Sequence, residues 1–179
     1  MTSTFLFPVA LQPIASRLFG ELVHCGPMRV TCCATLSVNG ELLSLPGRLY
    51  CPVDLLQRVV DRETGDARIL AMCLGTRHWD GHVREAHLRR IVDLDRDWVV
   101  PFVVQLLGEY VVEIAQVIKE ALARVDQSRY AAFARANPQF MELTRQRTVS
   151  YWDCYYRWIY KYLRDYPARA ALDAIERMV

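Results

Sequence analysis

Glycine and proline are scarce, with eight of each in 179 residues, so a collagen-like or low-complexity chain is excluded. The chain lacks any run of about 18 uncharged apolar residues, so a membrane span and a membrane partner are not expected. It also lacks a charge excess. The 22 basic and 20 acidic residues give a formal charge of +2, which disfavours a strongly basic nucleic-acid domain and an acidic tail protein. Its six cysteines (Cys25, Cys32, Cys33, Cys51, Cys73 and Cys154) lack the spacing of a disulfide framework. The opening MTSTFLFPVALQPIASRLFGE has no basic residue before Arg17 and carries Pro8 and Pro13 in its apolar part, unlike a secretory signal. A cytoplasmic protein with reduced, mostly buried thiols is expected. A glycine-rich phosphate loop and a G-x-S-x-G elbow are missing as well. Accordingly no catalytic, cofactor-binding or metal-ligating residue is assigned, no cofactor is expected, and the question of enzymatic activity stays open.

What is present is core-forming material. Hydrophobic residues make up 53% and charged residues 23%. The pattern predicts an all-α fold of roughly eight helices stacked as antiparallel pairs, HEAT-like or an irregular α-superhelix, with a small N-terminal β-hairpin as one option. A single mostly helical domain is expected over 1–179, with an N-terminal region (1–65), a middle (66–126) and an aromatic-rich C-terminal region (127–179).

Pro13 opens a helix towards His24, with Ile14, Leu18 and Leu22 on one side and Gly26-Pro27 as its stop. Over 28–49, Val30, Cys32, Ala34, Leu36 and Val38 alternate with Thr31, Cys33, Thr35 and Ser37, and Asn39-Gly40 follows. Alternation into Asn-Gly signals a hairpin; a helix closed by Asn-Gly is the competing reading. Pro52 opens a helix with Val53, Leu56, Val59 and Val60 on its stripe, broken at Gly65-Asp66, and ARILAMCLG follows as an apolar helix ending at Gly75. Asp80 caps the next helix, whose inner face carries Val83, Leu88 and Ile91, with His87 a candidate for it. Pro101 falls in the first turn of another. Then Val111, Ile114, Ala115, Ile118 and Leu122 point inward, with Glu109, Glu113, Lys119, Glu120 and Arg124 outward. A short helix ends at Asn137-Pro138. The next is expected to run almost unbroken to Pro167, and the last buries Ala171, Leu172, Ile175 and Met178.

The words DGHVREAHLRRIV and DWVVPFVVQLLGEYVVEIAQVIKEAL resemble HEAT repeats over about 67–125. Asp80, Val83, Arg84, Ala86 and Leu88 match the turn and first helix of such a repeat, Val99-Val100-Pro101 the opening of the next helix, and Ala121-Leu122 an ending. The second Val-Arg position reads Ile114-Ala115, without the arginine. The resemblance implies stacked helix pairs and a binding surface. It also implies structural roles for Asp80, Val83 and Arg84, the arginine reaching a neighbouring loop or Asp80.

Two local clusters invite chemistry. His24, Cys25, Cys32, Cys33 and Cys51 lack the paired Cys-x2–4-Cys spacing of a structural zinc site. His78, Asp80 and His82 are the residues an alternative small enzyme or metal-binding protein would use. Their spacing does not match a helical His-Glu-x-x-His site, and a polar turn explains them. Cys73 lies among apolar neighbours that silence a thiol.

The most unusual segment is SYWDCYYRWIYKYLRDY. Six of the nine tyrosines fall between Tyr151 and Tyr166, with Trp152 and Trp158 among them and Arg157, Lys161 and Arg164 interleaved. On a continuous helix, one stripe of rings faces inward and the other faces a partner. Tyr155 and Trp158 are expected in the core, and Tyr156, Tyr160, Arg157 and Arg164 at an interface. The resulting expectation is a non-enzymatic protein-interaction or scaffold module, covered by a second copy in a homodimer or by another protein. A nucleic-acid-binding helical repeat is a further alternative, disfavoured because few arginines align although 127–179 holds nine basic and five acidic residues.

Overall fold

The computed structural model describes residues 7–23 and 34–179 and contains nine α-helices and one two-stranded sheet among them. His24, Cys25, Gly26-Pro27, Val30, Thr31, Cys32 and Cys33 lie outside the described residues. The fold is helical with a small hairpin. Its residues group into two compact units, 1–91 and 92–179, which divide within the stretch that resembles HEAT repeats. None of the described helices is long and apolar enough to cross a membrane.

The first unit contains α1 (Gln12–Val23), β1 (Ala34–Val38), β2 (Glu41–Leu45), α2 (Val53–Arg62), α3 (Gly65–Gly75) and α4 (Gly81–Ile91). The hairpin reading of 34–45 is the one realised. Leu36 pairs with Leu43 and Val38 with Glu41 around a turn whose central residues, Asn39 and Gly40, have φ of 51° and 83°. Positive φ at both positions is what a type I′ turn needs. Helix α3 sits centrally, against α1, α2 and α4. Its uniformly apolar end, Leu70 to Gly75, is buried, as expected for a helix without a polar side. In α2, Leu56, Val59 and Val60 are buried. Val53 is exposed because it is the first helical residue, ahead of the packed turns.

The second unit contains α5 (Val100–Leu106), α6 (Val112–Ala121), α7 (Gln127–Ala136), α8 (Pro138–Tyr151) and α9 (Pro167–Glu176). Helix α9 packs on α6, α7 and α8, burying Ala171, Leu172 and Ile175. Asp126 caps α7 by accepting from the Ser128 amide at 2.9 Å. Glu109 is buried rather than outward. It belongs to the turn before α6, so the helical phase that placed it outside does not extend back to it.

The helix expected to reach Pro167 stops at Tyr151. A π-turn occupies Trp152–Tyr156, and the chain folds back from there to α9. A π-turn inserts extra residue into the helical ladder and shifts the phase of every side chain after it. This overturns the core assignment of Tyr155 and Trp158, which are 62% and 95% exposed.

Candidate functional site

The His78 turn is a backbone clip. Leu49 brackets His78 with two backbone bonds: the Leu49 amide donates to Arg77 O at 2.7 Å, and the Trp79 amide donates to Leu49 O at 3.0 Å. His78, fully buried, accepts from the Asp80 amide at Nδ1 (3.1 Å), so Nε2 carries the proton and donates to Cys51 O at 2.9 Å. Asp80 accepts from the His82 amide at 2.8 Å. That hydrogen bond, first among the causes, holds its carboxyl below the usual range. The side chain thus caps α4. Arg84 is fully buried, and its Nη1 donates to the carbonyls of His78 and Trp79 at 3.0 and 2.8 Å. Arg77, also buried, donates from Nε to Pro46 O at 3.0 Å. Two guanidiniums and one imidazole thereby satisfy carbonyls that a buried loop would otherwise strand. Val83 is half-buried on the same helix. Both nitrogens of His78 are engaged in holding the turn.

Cys51 and Cys73 are buried; burial pushes the Cys73 thiol well up, away from a reactive thiolate. Among the described residues no group of three or more His, Cys, Asp or Glu is placed to share a metal ion.

The aromatic turn is built differently. As the chain leaves α8, the Trp152 indole N–H donates to Tyr160 O at 2.8 Å, closing the loop that the π-turn begins. Tyr156 stacks on Tyr166, with centroids 5.2 Å apart and 23° between planes, and its hydroxyl donates to Tyr110 O. Tyr160 also packs on Tyr166, with centroids 5.6 Å apart. These contacts bury Tyr166 completely. Tyr156 and Tyr160, expected at an interface, are half-buried and hold the turn to the rest of the unit.

Outside this inner cluster the rings face water. Tyr155 stacks on Tyr151 at 6.1 Å, and Tyr151 in turn meets Tyr110. Trp158, Ile159 and Tyr162 are 95%, 70% and 51% exposed. The Arg157 guanidinium lies over the Trp152 ring at 5.3 Å and pairs with Asp153 at 2.7 Å. Lys161 and Arg164 both lie over Tyr162, at 5.6 and 4.9 Å. The structure therefore gathers the interleaved cations onto ring faces, as cation–π attraction favours. The exposed members Tyr155, Trp158, Ile159 and Tyr162 were not assigned to an interface from sequence; the crowding of rings was the available signal.

Comparison with known proteins adds no relative: no family model, curated protein or solved structure matches the chain.

Proposed function

We propose that the protein is a non-enzymatic interaction or scaffold module that docks a protein partner on the aromatic turn. The observation that carries this reading is the exposure of Tyr155, Trp158, Ile159 and Tyr162 in one short segment. Large apolar rings gathered on a surface are characteristic of partner sites. The turn is anchored from beneath by Tyr156, Tyr160 and Tyr166, so it presents its rings with little ordering cost on binding. The HEAT-like words over about 67–125 support the same class, because helical repeats serve as binding surfaces. The partner is a second copy of the chain or another protein, and a cytoplasmic setting suits the free thiols Cys73 and Cys154.

Light scattering at micromolar concentration, together with affinity capture of partners, tests the reading on the parent and on a Trp158→Ala/Ile159→Ala variant. The parent is expected to retain a second copy or another protein that the variant loses. Equal retention by both would place docking elsewhere.

A further inference from the structure

The charges around the turn narrow the partner's chemistry, given the docking reading above. Elsewhere in the second unit, several arginines are neutralised locally: Arg124 by Asp93 at 3.3 Å, Arg129 by Asp97 at 2.5 Å, and Arg169 by Asp173 at 2.8 Å, while Arg135 donates to Val179 O at 3.2 Å and Arg177 enters no ion pair among the described residues. Arg145 pairs with Glu142 and Glu176. Around the aromatic turn Arg157 alone is closely paired, with Asp153 at 2.7 Å. Among the described residues, Arg147 and Lys161 enter no ion pair, and Arg164 has only Asp165 at 3.9 Å. Arg147 sits one helical turn before Tyr151, on the side of α8 that meets Tyr110. All three cations are exposed. Lys161 and Arg164 converge on the single ring of Tyr162, so two like charges are held together in the same short segment that exposes Trp158 and Ile159.

We infer that the aromatic turn is a docking site for an acidic protein segment bearing a large apolar side chain. The apolar residue would pack on Trp158 and Ile159, and flanking carboxylates would meet Arg147, Lys161 and Arg164. Complementary charge of this kind raises association rate and rejects wrong partners. A two-fold contact through the same face is disfavoured, because it would set these cations against their own copies. Single-stranded nucleic acid fits less well. Cations already cover faces of Trp152 and Tyr162 that bases would need for stacking, and three cations neutralise few phosphates.

Fluorescence anisotropy of the full chain with three labelled probes tests this. The first is a 15-residue peptide of Glu interspersed with Leu and Phe, the second its Glu-to-Gln counterpart, and the third oligothymidine. The acidic peptide is expected to bind at least about tenfold more tightly than the Gln peptide at low salt, an advantage that shrinks as salt screens the charges. An Arg147→Gln/Lys161→Gln/Arg164→Gln variant, its fold checked by circular dichroism, is expected to lose that advantage. Equal binding of both peptides, or binding of neither, overturns the acidic partner. Tighter binding of oligothymidine overturns it in favour of nucleic acid, and a dimer lost on Trp158→Ala/Ile159→Ala overturns it in favour of self-association. The docking reading falls separately, only if that variant retains every partner the parent does.

Discussion

The His87 imidazole lies flat against the backbone of Gly75: a β-carbon built on Gly75 would stand 2.3 Å from the ring's Cδ2 and 2.4 Å from Cγ. Gly75 ends α3 and His87 lies within α4, so this contact sets how closely the two helices approach. Gly75→Ala is expected to destabilise the first unit by about 2 kcal/mol, through overpacking in a buried contact. A smaller residue at position 87 relieves the clash, so Gly75→Ala should cost less in a His87→Ala background. Urea unfolding of the four proteins in that cycle measures the coupling, and strict additivity would show that the ring is not what Gly75 accommodates.

The same burial, followed by the charge of Arg90, lowers the His87 pKa to about 4. In the unfolded chain its value is near 6.5. As pH falls from 6.5 towards 4, the unfolded chain takes up the proton before the folded one, so stability is lost across that window and is fully present above it. The predicted loss is about 3 kcal/mol for this group. Glu63, held at about 2 by hydrogen bonds to Arg17 and Arg62, titrates lower. Denaturant midpoints between pH 7 and 4 should fall more steeply in the parent than in His87→Gln; parallel curves would remove His87 as the cause.

Arg84 bridges the carbonyls of His78 and Trp79 from a fully buried position. Arg84→Ala is expected to cost about 3 kcal/mol, since charge-assisted bonds are lost and two carbonyls are left short of donors. Arg84→Lys should recover only part of this, because an ammonium lacks the planar fork. Thermal unfolding of both variants checks the order.

Neighbouring rings on the aromatic turn should respond in opposite ways. Tyr156→Ala removes the stack on Tyr166 and the hydroxyl bond to Tyr110, at a cost of about 3 kcal/mol. Trp158→Ala, at a site almost wholly in water, should change stability by less than about 0.5 kcal/mol. Calorimetry of the two variants decides the point, and a large loss from Trp158→Ala would contradict the exposed geometry.

Gly40 has φ of 83° in the hairpin turn. Gly40→Ala is expected to cost about 1 kcal/mol by forcing a side chain into left-handed backbone. Wild-type stability in that variant would show that the turn relaxes to another type.

The elements legible in the sequence are those whose signal is local. Leu36 and Val38 alternate into Asn39-Gly40, and the pairing of β1 with β2 follows directly. Asp80 and Asn137-Pro138 mark boundaries because capping and the missing proline N–H act within one turn. The aromatic segment resisted the same treatment. Periodicity assumes that the helix continues, whereas the Trp152 indole bond to Tyr160 O and the stack of Tyr156 on Tyr166 reward folding back. The fit of His87 against Gly75 joins positions in two helices, and the exposed face of Trp158 depends on that same reversal; neither is encoded in spacing along the chain.

The exposure of Trp158 also has an optical consequence. The protein's other tryptophans are less exposed: Trp98 is buried, Trp152 half-buried beneath Arg157, and Trp79, at the edge of the His78 turn, is 52% exposed. Trp158 should therefore supply the reddest part of the native emission and the part most open to a dissolved quencher. Iodide, drawn by Arg147, Lys161 and Arg164, should quench it more strongly than neutral acrylamide does relative to a free indole. The surface on which docking is proposed thus carries its own label, read without attaching a dye.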